Sequence, residues 1–96
     1  MAEDIDNEFY QRADSFIHLA NEHCGSVERN KVSASFMYSV ARFNAWISAS
    51  GYPSGEDLRA AKAEMIEFFI EQYRGMLVEN LDDYIENFEK YMKPSH

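Results

Sequence analysis

From Val32 to Gly55 the chain carries one formal charge, Arg42, although 27% of all its residues are charged. Both flanks of this 24-residue run are crowded with carboxylates. A solvated helix face is where Lys and Glu accumulate. An almost uncharged run of this length is therefore expected to be covered on its sides, as the central element of a small all-helical protein.

Within that run the spacing predicts a helix from about Lys31 to Ser50, with Asn30 as its N-cap and Gly51 and Pro53 ending it. At about 100° per residue it has two opposed faces. Val32, Phe36, Val40, Phe43 and Ile47 form a bulky stripe. Ala34, Tyr38, Ala41, Ala45 and Ala49 lie opposite, where small side chains let another helix approach closely. A helix with two packable faces is expected to be walled in on both, by its own chain or by a twin.

A preceding helix is predicted from about Asp6 to Cys24. Asp6 is its N-cap, and Ile5 and Tyr10 stand at the spacing of a hydrophobic staple. Phe9, Ala13, Phe16, Ile17, Ala20 and Cys24 form one apolar face, and Gly25 is the natural residue to end it. A third helix starts at Ser54-Gly-Glu-Asp57, a capping box with Asp at the fourth place. Leu58, Ala61, Met65, Phe68, Phe69, Tyr73, Met76 and Leu77 make its first apolar face. Leu81, Tyr84, Ile85, Phe88 and Tyr91 continue the pattern, but the stripe turns by roughly 100° near Gly75 and Asn80. One straight helix over 56–92 would be about 54 Å long. A compact domain of this size has a radius of gyration of about 12–13 Å. The expectation is a small helical bundle of three helices, the third long and kinked or broken near residues 78–80, with Asn80 capping a fourth. The competing reading is an unbroken helix covered by a partner subunit. Residues 6–93 are expected to form a single helical domain, with 1–5 frayed and 94–96 a tail.

Composition limits the function classes. The net charge is −8. That argues against nucleic acid, whose phosphates need a basic face, and against anionic membrane surfaces. It permits a basic protein partner. The single cysteine, Cys24, cannot build a disulfide framework, and it lacks the positive field of a reactive thiolate. No signal peptide is legible at the acidic start, and no run reaches the ~18 apolar residues of a membrane span. The expected compartment is the cytoplasm. No cofactor is expected.

Three groups of side chains carry the available chemistry. Asp14, His18 and Glu22 stand at i, i+4 and i+8, a column of competent metal ligands that is equally a solvated face. Arg42 is the one cation of the uncharged helix. Buried, it requires a carboxylate partner; left open, it would anchor an anionic ligand with Ser35, Ser39 and Trp46. Glu79, Asp82, Asp83, Glu86 and Glu89 form an acidic ridge, either a docking surface for a basic partner or a solvated face. His23 suits the C-terminal turn of the first helix. No catalytic motif is present: there is no His-Glu-x-x-His, no phosphate-cradling glycine loop and no Gly-x-Ser-x-Gly.

Four runs carry a resemblance: Glu8–Asn21 (EFYQRADSFIHLAN), Lys31–Ser35 (KVSAS), Ala41–Ala45 (ARFNA) and Glu79–Phe88 (ENLDDYIENF). Together they resemble a family of short bacterial proteins named only as domain of unknown function 3144. The likeness spans about residues 8–92. It implies a bacterial cytoplasmic helical protein and brings no activity, cofactor or catalytic residue with it. The leading expectation is a non-enzymatic protein-interaction or self-association module, possible as a homodimer. The alternatives are a small-molecule or metal-binding helical protein, and an acidic protein docking on a basic partner.

Overall fold

A computed structural model describes residues 6–93. Among the described residues the chain is all-α: α1 (Phe9–His23), α2 (Arg29–Ser50), α3 (Gly55–Glu86) and the short α4 (Phe88–Met92). Its contacts divide it into two units, Met1–Leu58 and Arg59–His96. The expected terminal segments 1–5 and 94–96, and the staple residue Ile5, lie outside the described residues.

In the first unit α1 and α2 pack on each other. The Asp6 carboxylate organises the entry to α1 without being its N-cap. It accepts the Glu8 amide at 2.9 Å, and the Phe9 amide bonds the Asp6 carbonyl at 3.1 Å. This local turn delays the helix to Phe9. The Arg12 guanidinium reaches back to both carboxylate oxygens, at 3.3 and 3.1 Å. That bond, with the Glu8 amide, holds the Asp6 carboxyl below its ordinary value of 3.8.

Two predicted caps differ. Gly25 does not adopt the left-handed conformation. The end of α1 tightens instead through bonds from the amides of Gly25 to Glu22 and of Ser26 to His23, both 3.1 Å. A Cβ at Gly25 would stand 3.3 Å from the Glu22 carbonyl, so glycine serves closeness there rather than handedness. At α2, extended Glu28 holds the N-cap place and Asn30 is already helical. The Glu28 carbonyl accepts the amides of Lys31 and Val32.

The cap of α3 forms at the predicted Ser54 and Asp57, although the Asp57 carboxylate meets the Ser54 hydroxyl and not the Ser54 amide. The Asp57 amide donates to Ser54 Oγ at 3.2 Å, and the Ser54 hydroxyl donates to Asp57 Oδ2 at 3.1 Å. The third helix then runs unbroken for 32 residues, about 48 Å. The expected break at 78–80 is absent, and Asn80 shows why. Its side-chain amide donates to the Met76 carbonyl one turn back at 2.8 Å, inside the continuing helix, instead of capping a new one. The break comes at Asn87, whose backbone leaves the helical region. Asn87 Nδ2 donates to the Asp83 carbonyl at 3.1 Å and to Asp83 Oδ1 at 2.9 Å. The fourth helix is therefore real but begins later than predicted.

Burial departs most from expectation. Among the described residues only Val32 (8% exposed) and Ala61 (9%) are buried. In α2, Phe36, Asn44 and Ser48 are half-buried, while Val40, Phe43 and Ile47 of the bulky stripe and all five residues of the small-residue face are exposed. The described residues cover the bulky side of the middle helix only at its start, at Val32 and Phe36, and leave the small-residue side exposed. Its lack of charge is satisfied neither by a core nor by a polar surface.

Candidate functional site

Tyr38, Ser39, Arg42, Phe43 and Trp46 line one open depression along α2, of about 440 Å³. The helical repeat brings Tyr38, Arg42 and Trp46 into a column at i, i+4 and i+8. The rings of Phe43 and Trp46 lie 5.7 Å apart. Three of the four residues expected to hold an anion thus share one surface, and Ser35 takes part only through its backbone. Ser39 Oγ donates to the Ser35 carbonyl at 2.9 Å, so that hydroxyl is spent on its own helix. The carboxylate partner expected for Arg42 is not there: among the described residues no ion pair forms with it. The physical reason follows from the fold. Exposed to water, the guanidinium has no desolvation cost for a partner to offset. Phe43 and Tyr38 belong to this surface and were assigned to separate packing faces by spacing alone.

The depression is open. A pocket that holds a small molecule typically encloses 70–90% of it, and one helix face cannot do that. Exposed Tyr, Arg and Trp side by side are the residue types that dominate protein–protein contacts.

The second group stays a surface column. Asp14, His18 and Glu22 are all exposed, and His18 Nε2 lies 3.3 Å from Glu22 Oε2. Among the described residues no three His, Cys, Asp or Glu side chains stand together to hold a metal ion. Cys24 is a half-buried free thiol.

The acidic ridge is also exposed throughout, but it is not uniform. Asp83 turns inward to the α3–α4 junction. Besides Asn87, it accepts the Tyr91 phenol on Oδ2 at 3.0 Å. The rings of Tyr84 and Tyr91 lie 4.8 Å apart. The hydrogen bond to Asp83 raises the Tyr91 pKa above 10.0, because ionising the phenol would remove the donated proton beside a carboxylate. Glu89 lies 3.9 Å from Lys93. Glu79, Asp82 and Glu86 line the same solvent-facing side. Sequence spacing missed the Asp83–Asn87–Tyr91 junction; the i, i+4, i+8 register of the three was its only signal.

No helix among the described residues is long and apolar enough to cross a membrane. The comparisons with known proteins agree with the resemblance read from the four runs. Residues 9–85 match the family model DUF3144, described as a protein of unknown function. The chain is similar to the protein NB7890A from Shewanella sp, whose structure was determined by NMR. The two are 38% identical, with 96% of this chain and 98% of that one covered, at a TM-score of 0.77. No curated protein matches the chain.

Proposed function

We infer that this chain, which belongs to the DUF3144 family of proteins of unknown function, is a non-enzymatic interaction module that associates with copies of itself. One observation carries the reading: the described residues bury two side chains, while the chain is 46% hydrophobic. Ordering a residue costs roughly 1–2 kcal/mol in backbone entropy. Burying a large apolar side chain returns about 1.5–3 kcal/mol. Beyond Val32, Ala61 and a scatter of half-buried residues, the large apolar side chains keep 40–69% of their surface exposed. Trp46 at 65% exposed and Ile85 at 69% are not scattered cases but parts of continuous apolar faces. Faces of this kind are stable in water when another protein surface lies over them. The open Tyr38–Arg42–Trp46 column supports contact with a protein more than enclosure of a ligand.

The test is the molar mass in solution. Light scattering coupled to size-exclusion chromatography, repeated from micromolar to millimolar chain, is expected to give twice the chain mass or more. A strict monomer across that range, with no binding of a dye that reports exposed apolar surface, overturns the reading.

A further inference from the structure

The third helix carries two apolar stripes, not one that rotates. Leu58, Ala61, Met65, Phe69 and Gln72 are buried or half-buried and share one side. A second stripe begins before the first ends: Ile66, Ile70, Tyr73, Leu77, Leu81 and Tyr84, each 42–53% exposed. Its steps are 4, 3, 4, 4 and 3 residues. That is 18 residues in five turns, about 3.6 per turn, so the stripe runs straight along the helix for about 27 Å. No charged residue interrupts it. Glu64, Glu71, Glu79, Asp82 and Glu86 fall within about 60° of the opposite side. Where the first stripe ends, the helix is thus amphipathic in its own right, with its apolar side bare.

We propose that this second stripe is the seam of an antiparallel pairing between α3 and the α3 of a second copy. The proposal rests on the self-association reading and assigns it a surface and an orientation. Area supports the occupant. Six side chains about half exposed present roughly 600 Å² per chain, so a pair has up to about 1,200 Å² to bury, enough to reach the ~1,000 Å² that a specific interface needs. Charge supports the orientation. Within α3, residues 55–74 hold three cations and five carboxylates, while residues 75–86 hold four carboxylates and no cation. Parallel helices would set the two cation-free ends side by side. Antiparallel helices set each cation-free end against the half that carries Arg59, Lys62 and Arg74, and oppose the helix dipoles. Centred on Gly75, that register brings Ile66 against Tyr84 and Tyr73 against Leu77 of the other copy.

The experiment compares the full chain with three double variants by sedimentation equilibrium, with circular dichroism to confirm helicity. Leu77→Asp with Leu81→Asp is expected to raise the dimer dissociation constant at least 100-fold. Phe16→Asp with Leu19→Asp, two exposed residues of α1 outside both apolar surfaces, is expected to change it less than fivefold. If the aspartate pair on α3 unfolds the chain, Leu77→Ala is used, with a rise of at least fivefold expected. A dimer that tolerates the α3 changes and falls apart with Phe43→Asp and Trp46→Asp on α2 overturns the seam and leaves self-association standing. A monomeric parent chain overturns both. Orientation is read by disulfide trapping in a Cys24→Ser background. Ile66→Cys chains mixed with Tyr84→Cys chains are expected to form the mixed disulfide. Efficient disulfides within each variant alone, and none between them, mean a parallel pair and sink the proposal.

Discussion

The first turns of α3 and its last turns are one continuous helix held in two different ways. From Leu58 to Gln72 a stripe of side chains is buried or half-buried, most fully at Ala61. From Tyr73 to Glu86 every side chain is exposed, and order is held locally: by Asn80 bonding back to Met76, and by Asp83 gathering Asn87 and Tyr91 at the end. The difference teaches that helix continuity and burial are separate properties. A pattern that shifts its apolar face changes what covers a helix and need not interrupt its hydrogen bonds.

The sharpest way to break this comparison is Asn80→Pro. In an unbroken helix it removes the amide bond to Met76 and clashes with the preceding turn, at a cost of about 3 kcal/mol or more. A clear loss of ellipticity and of melting temperature is expected. A variant as helical and as stable as the parent would restore a break at 78–80. Next in size is Ala61→Leu set against Ala60→Leu. Enlarging the buried alanine is expected to cost about 1–3 kcal/mol in thermal or urea unfolding. Enlarging its exposed neighbour stays within about 0.5 kcal/mol. Equal effects would dissolve the contrast between covered and bare stretches. The smallest effect is at the far end. Tyr91 ionises above the ordinary 10.0 because its phenol donates a hydrogen bond to the Asp83 carboxylate. The stability this bond contributes is therefore complete below pH 10.0 and disappears as pH rises through the higher folded value. Ultraviolet titration is expected to show one late-ionising tyrosine, returned to the ordinary range by Asp83→Asn.

Much of the architecture is legible in the residues. The cap at Ser54 and Asp57, the helical spacing of three long segments and the stop at Gly51 each follow from local chemistry that the rest of the molecule does not override. Other signals misled for identifiable reasons. Asn80 and Asn30 are good caps, but an asparagine inside a helix can bond its own i−4 carbonyl or face water, and spacing does not choose between these. Gly25 suits a left-handed end and is used in a tight right-handed turn. The uncharged run around Arg42 encodes a covered surface without saying what covers it. A carboxylate partner for Arg42 follows only where that cover buries the guanidinium, and an exposed arginine has no need of one. Of the candidate site, the column through Ser39, Arg42 and Trp46 was readable from helical spacing. Its openness was not, because openness depends on what lies opposite.

Beyond its own stretch of helix backbone, Gly75 has no atom within 4 Å of where a side chain would begin. Nothing around it asks for the smallest residue, yet glycine inside a helix costs about 1 kcal/mol relative to alanine. The rod is consequently least stiff at a point just past the end of its covered stripe. A bend needed for two such rods to follow each other's curvature is therefore expected at this point first.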